Sequence, residues 1–142
     1  MLKVQKPKRI LEVGCAIGYS SIFFATIIGK DADIITVERN EKMIEKAKEN
    51  IKLAGFDNNI TILEGDAEEK LSQVQGEFDL IFIDAAKGQY KLFFDLVIDK
   101  LKDGGLLVSD NILYKGMVAH DDFVVRRKKT IVKRMRNYLD YI

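Results

Sequence analysis

The sequence is poor in the residues that form disulfides, metal clusters and sharp breaks. It has one cysteine, Cys15, one histidine, His120, and one proline, Pro7. A single cysteine cannot form an intramolecular disulfide, and neither a cysteine-rich nor a histidine-cluster metal site can be built. This cysteine usage fits a reducing compartment, so a cytoplasmic location is expected. Cys15 itself is expected to be a small buried filler rather than a reactive thiol.

Long hydrophobic runs and an excess of one charge are also missing. No stretch approaches the roughly 20 uninterrupted apolar residues of a membrane-spanning helix, and the basic start lacks the apolar segment of a signal peptide. The 23 basic and 22 acidic residues give a net charge of +1, so any surface that attracts a polyanion must be local. With 142 residues, 47% of them hydrophobic, the chain is expected to form a single domain over residues 1–142.

Short apolar, β-branched runs alternate with longer segments whose apolar residues recur at helical spacing. This alternation predicts an α/β fold with a parallel sheet of about five strands and helices on both faces. The predicted strands lie near residues 8–13, 33–38, 59–64, 78–84 and 105–110. The predicted helices lie near residues 19–28, 41–54, 67–74, 89–101 and 121–141. Gly55 and Gly104 are expected to be left-handed residues that end helices.

The first predicted strand runs into the segment LEVGCAIGYSS, in which Gly14 and Gly18 bracket a tight turn into a helix. Glycine lets the backbone approach a ligand that lies over the helix start, although plain turn chemistry is the alternative. Glu38 ends the second strand twenty residues after Gly18, a separation typical of a carboxylate that binds a ribose. Asp66 could bind the exocyclic amine of an adenine, cap the helix that begins at Ala67, or do both. Together these positions predict a nucleotide site.

Three oxygen-donating side chains follow the last two predicted strands. Asp84 ends the fourth strand, and Asp110, followed by Asn111, ends the fifth. Because the carboxyl ends of parallel strands meet at one edge, these donors would converge in a set suited to Mg²⁺, and close buried carboxylates would favour a cation between them. The alternative is that both aspartates cap helices. Lys87 could be a general base if its pKa is lowered by the metal and by partial burial, or it could be a solvated loop lysine.

Five motifs in order, LEVGCAIGYSS, VERN, GDAEE, FIDAAKGQY and SDN, resemble the cation-dependent O-methyltransferases, which include catechol and caffeoyl-CoA methyltransferases. The resemblance covers residues 7–117 and continues more loosely to residue 142. It implies a Rossmann-like methyltransferase fold that uses S-adenosylmethionine and a divalent cation such as Mg²⁺. By position it assigns catalysis to Lys87, the metal to Asp84, Asp110 and Asn111, and the cofactor to Glu12, Gly14, Gly18, Ser20, Glu38, Asp66, Ala67 and Asp84.

The sequence departs from the family pattern at both ends. Members normally carry helices before the first strand and two further strands after the last helix, and neither is expected here. The resemblance implies the core of an O-methyltransferase that is a homodimer when full length. Two alternatives stay open: a non-catalytic S-adenosylmethionine-binding fragment, and an NAD-dependent oxidoreductase, which would not require the set Asp84, Asp110 and Asn111.

The last predicted helix bears a cluster of basic residues. Its apolar residues lie broadly on one side. The other positions are largely occupied by the cations Arg126, Arg127, Lys129, Lys133, Arg134 and Arg136. A solvated helix face is the ordinary interpretation, and phosphate contact with RNA is the functional one. This helix and the segment DNILYKGMV resemble bacterial methyltransferases of 5-hydroxyuridine in tRNA. We therefore expect 5-hydroxyuridine in tRNA as substrate, and a small catechol-like or caffeoyl-CoA-like phenol as the alternative.

Overall fold

The computed structural model describes residues 2–142 as a single α/β unit. Its strands are β1 (Arg9–Val13), β2 (Asp33–Glu38), β3 (Ile60–Glu64), β4 (Phe78–Ile83) and β5 (Leu101–Ser109). Its helices are α1 (Leu2–Gln5), α2 (Tyr19–Ile28), α3 (Glu41–Leu53), α4 (Ala67–Gln73), α5 (Tyr90–Val97) and α6 (Lys129–Tyr141). Short 3₁₀ turns lie at Lys87–Gln89, Ile98–Lys100, Asp121–Phe123 and Arg126–Lys128.

The five strands form one parallel sheet in the order β3-β2-β1-β4-β5. The chain moves outward from β1 to β3 and then returns to add β4 and β5 on the other side of β1. The strand order therefore reverses between β1 and β4, and in open parallel sheets such a switch point opens a crevice at the carboxyl ends of the strands. The α/β fold predicted from the sequence is confirmed.

The central strands β2, β1 and β4 are mostly buried, which explains their largely apolar sequences, whereas the edge strands β3 and β5 are mostly only partly buried. Adjacent residues of β1 point to opposite faces. Ile10 belongs to a core formed with α2 and α3, and Leu11 belongs to a core formed with α4, α5 and α6. Glu12 falls on the α2 and α3 side of the sheet by the same alternation, two residues after Ile10.

Two predicted boundaries are wrong. The fifth strand begins at Leu101 rather than near residue 105, because Leu101 pairs with Phe78 and an irregularity follows in the β4–β5 register. Gly104, with φ 76°, therefore lies inside the strand and does not end a helix. The last helix begins at Lys129 rather than near residue 121, because Val124 and Val125 adopt extended backbone between two 3₁₀ turns. Gly55 does follow α3 with φ 74°, as predicted.

None of the helices formed by residues 2–142 has the length and apolar character needed to cross a membrane.

Candidate active site

A cleft of about 170 Å³ opens at the carboxyl edge of the sheet, beside the ends of β1, β2 and β4. Five residues predicted to bind a nucleotide cofactor line it: Gly14, Glu38, Asp66, Ala67 and Asp84. Sequence reasoning missed the remaining lining residues, which are Val13, Ala16, Val37, Arg39, Gly65, Ala85, Ala86, Gln89 and Phe93. Most of these are small or apolar residues next to predicted ones in the sequence. Their position beside the motifs is the only sequence feature that could have identified them.

The turn after β1 contains two glycines with positive φ. Gly14 has φ 106°, and a Cβ there would lie 2.0 Å from the carbonyl oxygen of Asp84. Gly18 has φ 83°, and a Cβ there would lie 3.4 Å from Ile51 of α3. Gly14 is therefore required where two chain segments meet beside the cleft, whereas Gly18 allows α2 to pack against α3. Gly18 does not line the cleft described above.

Glu38 is held over this turn by backbone amides. Its Oε2 accepts a hydrogen bond from the amide of Ala16 at 2.9 Å. Its Oε1 accepts from the amides of Arg39 and Asn40 at 3.0 and 2.9 Å. A carboxylate has about four lone-pair sites, so these three bonds fix the orientation of Glu38 and leave one site, on Oε2, that can accept a further hydrogen bond.

Asp66 caps α4 and lines the cleft, so the two roles considered for it are structurally compatible. Its side chain accepts a hydrogen bond from the amide of Glu68 at 2.9 Å. Its other oxygen lies 3.8 Å from Arg39, in an exposed ion pair. Ala67, the first residue of α4, lies beside it in the lining.

Glu12 is fully buried one layer beneath the turn and does not line the cleft. Its Oε2 accepts hydrogen bonds from the hydroxyls of Ser21 and Thr36, the latter at 2.6 Å. Its Oε1 has no hydrogen-bond partner among residues 2–142. Burial raises the pKa of Glu12, and hydrogen bonds from Ser20, Ser21 and Thr36 offset part of that rise.

Asp84 and Asp110 are brought side by side by the sheet. Ile83 and Ser109 pair in register, and the amide of Asp110 donates to the carbonyl of Ile83 at 2.9 Å. Asp110 also accepts hydrogen bonds from Asn111, at 2.7 Å from its backbone amide and at 2.9 Å from its side-chain nitrogen. The three predicted metal ligands are therefore neighbours at one edge.

Two expectations about these aspartates need correction. The side chain of Asp84 is 42% exposed and pairs with Lys87, so it is not a buried carboxylate that needs a cation to balance it. Neither aspartate caps a helix: the turn after Asp84 has no side-chain cap, and Asp110 accepts only from the residue that follows it. No group of three His, Cys, Asp or Glu suited to a metal occurs within residues 2–142, because the third member of this set is an asparagine.

Lys87 is an anchored residue rather than a solvated loop lysine. Its Nζ donates to Asp84 Oδ1 at 3.1 Å and to Tyr90 Oη at 3.0 Å, and its side chain is 20% exposed. Partial burial lowers the pKa of Lys87, but the hydrogen bonds to Tyr90 and Asp84 outweigh burial and the net shift is upward. The partial burial expected for this lysine is present, but its effect on the pKa is smaller than that of the two hydrogen bonds together.

The basic face of α6 reaches the turn that carries Lys87. A Cβ on Gly88 would lie 3.2 Å from a guanidinium nitrogen of Arg134. Arg136, by contrast, is a structural residue: it donates to the carbonyls of Val118 and Met117 at 3.0 and 3.2 Å and pairs with Asp121 at 2.8 Å. The cations that stay exposed are Arg126, Arg127, Lys129, Lys133 and Arg134.

Comparison with known proteins gives a consistent result. The model of the O-methyltransferase family matches residues 1–141. The catechol O-methyltransferase of Niastella koreensis is 36% identical over 119 residues, which cover 81% of this chain and 54% of that enzyme. The curated relatives are longer proteins, and this chain spans between 52% and 63% of their length.

Solved structures show the same fold. A Staphylococcus aureus protein provisionally assigned as a caffeoyl-CoA O-methyltransferase is 42% identical, with a TM-score of 0.91 over 99% of this chain and 68% of that one. A methyltransferase from Podospora anserina, solved with bound S-adenosylhomocysteine, is 30% identical, with a TM-score of 0.90 over 98% of this chain and 64% of that one.

Proposed function

Because the chain belongs to the O-methyltransferase family, we propose that it transfers a methyl group from S-adenosylmethionine to a hydroxyl that has a second, metal-binding oxygen beside it. The observation that carries this proposal is that the cleft and the Asp84–Lys87 pair adjoin at one edge of the sheet. The cleft formed by Gly14, Glu38 and Asp66 also includes Asp84, and Asp84 in turn binds the ammonium of Lys87. A methyl donor and an acceptor hydroxyl bound at these places would be adjacent.

S-adenosylmethionine would occupy the cleft. Glu38, fixed by three backbone amides, is suited to accept a ribose hydroxyl through Oε2, and Asp66 with Ala67 would border the adenine. The glycine turn would support the methionine part, with Gly14 and Gly18 in the turn, Ser20 at the start of α2 and Glu12 beneath it. Asp84, which lines the same cleft, lies between cofactor and acceptor.

The donor set at the edge fits a hard divalent cation such as Mg²⁺. Asp84 and Asp110 supply carboxylate oxygens, and the side-chain nitrogen of Asn111 is bonded to Asp110, which leaves the amide oxygen of Asn111 as the ligand atom. A cation held there would lower the pKa of an acceptor hydroxyl and favour its oxyanion.

Lys87 would take the proton of that hydroxyl. Lys87 must be neutral to do so, and one of the two hydrogen bonds that raise its pKa comes from Asp84. A cation bound by Asp84 would compete with Lys87 for the same carboxylate oxygen and would favour the neutral form of the lysine. The acceptor oxygen then attacks in line: a bond forms to the methyl carbon as the carbon–sulfur bond breaks, and the proton goes to Lys87 Nζ.

The first acceptor we propose is 5-hydroxyuridine in tRNA, whose adjacent oxygens could chelate a metal as a catechol does. Supporting this choice, the exposed cations of α6 adjoin the turn of Lys87 through Arg134, so a phosphate backbone could be bound next to the site. A catechol-like or caffeoyl-CoA-like phenol is the second candidate, favoured by the names of the relatives above. An S-adenosylmethionine-binding fragment without activity is the third.

Calorimetric titration with S-adenosylmethionine and with NAD, each with and without Mg²⁺, tests the core of the proposal. We expect saturable binding of S-adenosylmethionine that is lost in Glu38→Ala. Glu64→Ala is the matched control, since Glu64 ends the neighbouring strand in register with Glu38 and binds Lys48 instead. Binding of NAD alone would contradict the methyltransferase assignment.

Transfer of labelled methyl groups then separates the acceptors. Transfer to tRNA that contains 5-hydroxyuridine, but not to catechol or caffeoyl-CoA, supports the first choice. The reverse result supports the second. Binding of S-adenosylmethionine without transfer to any of the three supports the non-catalytic alternative.

A further inference from the structure

Tyr90 links the proposed general base to the end of β5. Resting on the proposed function, we propose that Tyr90 is a positioning residue that holds Lys87 in place for proton transfer and ties it to the backbone of Asp110. Sequence reasoning did not single out this residue, which follows Lys87 by three positions in FIDAAKGQY.

The ammonium of Lys87 fixes the direction of its bond with Tyr90, and Tyr90 Oη has two backbone carbonyls in reach, that of Asp110 at 2.9 Å and that of Ile83 at 3.4 Å. A lysine ammonium can only donate, so Tyr90 Oη accepts from Lys87 Nζ over 3.0 Å. The single phenolic proton is then free to be donated to the carbonyl oxygen of Asp110, at 2.9 Å. The phenol therefore bridges the lysine and the residue proposed to bind the metal.

The buried ring of Tyr90 is held rigidly, whereas the side chain of Lys87 is flexible. Tyr90 is 1% exposed, begins α5 and makes an edge contact with Tyr138 at 5.7 Å between ring centroids. The lysine side chain has several rotatable bonds and gains a defined position only through what its Nζ contacts. Two contacts provide that position, Asp84 Oδ1 and Tyr90 Oη.

The contact with Tyr90 would fix the position of Lys87 Nζ during proton transfer. If Asp84 turns to a cation, the ammonium of Lys87 loses that partner, and Tyr90 Oη is the fixed contact that remains. Because small displacements of a proton acceptor lower the rate steeply, a single hydroxyl on a rigid ring would control where Lys87 Nζ lies relative to the acceptor.

A buried tyrosine hydroxyl can also be purely structural, and the same core contains such a case. Tyr138 is 0% exposed, makes edge contacts with Tyr90 and Phe94, and shares a 2.7 Å hydrogen bond with Ser109. It makes no hydrogen bond to Lys87 among the contacts of residues 2–142. Tyr138→Phe is therefore a matched control for Tyr90→Phe, since each change removes one buried, hydrogen-bonded hydroxyl and keeps the ring.

Steady-state kinetics with S-adenosylmethionine, Mg²⁺ and the acceptor that the transfer assay identifies provide the first test. We expect Tyr90→Phe to lower kcat about tenfold, the size produced by losing one hydrogen bond to a charged group, with KM for S-adenosylmethionine unchanged. Tyr138→Phe should keep both constants while melting at a temperature close to that of Tyr90→Phe. The proposal is overturned if Tyr90→Phe keeps kcat within about twofold, or if both variants lose activity equally.

The ammonium signals of ¹⁵N-labelled lysine give a second test that needs no turnover. The signal of Lys87, assigned by its loss in Lys87→Arg, should be slow to exchange in the wild type and in Tyr138→Phe, and should broaden in Tyr90→Phe. An unchanged signal in Tyr90→Phe would overturn the positioning role. If the signal depends on Tyr90 but the wild type methylates no acceptor, the positioning contact stands and only the proposed function fails.

Discussion

A Cβ atom on Gly14 would lie 2.0 Å from the carbonyl oxygen of Asp84. The two residues face each other because β1 and β4 pair in register up to Val13 and Ile83, and the amide of Asp84 then donates to the carbonyl of Val13 at 2.9 Å. The cofactor turn and the first proposed metal ligand are thus in direct backbone contact. A change in one of them must displace the other.

Gly14→Ala should abolish binding of S-adenosylmethionine and lower the melting temperature. The substitution adds a clash with Asp84 to the cost of a left-handed non-glycine residue, which is about 1–2 kcal/mol. Gly55→Ala is the control, since Gly55 has φ 74° but its added Cβ would meet nothing within 4 Å. Calorimetry and thermal melting check this, and equal effects of the two changes on cofactor binding would contradict it.

The positions of most strands and helices could be predicted because their signals are local. Periodic apolar residues and glycine breaks placed α2 at residues 19–28, where the structure has it. The start of β5 could not be predicted, because Gly104 and Gly105 look like a break in the sequence, whereas pairing of Leu101 with Phe78 extends the strand through them. Tertiary pairing overrides the local signal there.

The candidate site also has features that could be predicted from the sequence and features that could not. Residues at the ends of strands were predictable, since a parallel sheet brings those ends to one edge. The depth of Glu12 and the partners of Lys87 were not, because they depend on how α2 and α5 pack on the sheet. The sequence indicated partial burial of Lys87, which lowers its pKa, but not the hydrogen bonds to Tyr90 and Asp84, which raise it.

Glu12→Gln should stabilise the protein at neutral pH. Burial raises the pKa of Glu12 in the folded protein above the ordinary value of 4.5, so folding favours the protonated form. Below pH 4.5, Glu12 is protonated in both the folded and the unfolded protein, and its ionisation does not reduce stability. As pH rises from there through the folded-state pKa, the unfolded protein releases this proton first, and the folded protein loses stability. Glutamine stays neutral and can still accept from Ser21 and Thr36.

Melting temperatures of both proteins between pH 4 and 8 check this prediction. The advantage of Glu12→Gln over the wild type should grow as pH rises and disappear near the ordinary carboxyl pKa of about 4.3. Glu49→Gln is the control, because Glu49 is exposed on α3 and the neighbouring Lys46 lowers its pKa. A constant difference between Glu12→Gln and the wild type at every pH would contradict the assignment.

Asp110→Asn should weaken binding of a divalent cation. The change removes one of two adjacent carboxylates, and we expect the Kd for Mn²⁺ to rise by at least about tenfold, since even supporting residues of metal sites contribute 10- to 100-fold. Calorimetry with Mn²⁺ measures this without an acceptor. Asp103→Asn, an exposed change on the same strand, should leave the Kd unchanged. Equal affinities of wild type and Asp110→Asn would exclude this edge as the metal site.

Substitutions among the basic residues of α6 can test phosphate binding and protein stability separately. Lys133 and Arg134 are exposed, and Arg134 lies against Gly88 beside Lys87, whereas Arg136 is bonded to two carbonyls and to Asp121. If these cations bind tRNA, the double change of Lys133 and Arg134 to alanine should weaken tRNA binding. It should also reduce the salt slope by roughly 1.5, since each phosphate contact contributes about 0.7 to 0.9. Its melting temperature should stay near that of the wild type.

Arg136→Ala should give the opposite pattern. It leaves the carbonyls of Met117 and Val118 without a donor, which costs about 1–3 kcal/mol of stability, and the cation that it removes is already paired with Asp121. Fluorescence anisotropy with tRNA over a range of salt concentrations, beside thermal melting, distinguishes the two variants. If the double variant binds tRNA as the wild type does while catechol is still methylated, the basic face is only a solvated surface, and the small phenol becomes the favoured substrate because the site can then act without any phosphate contact.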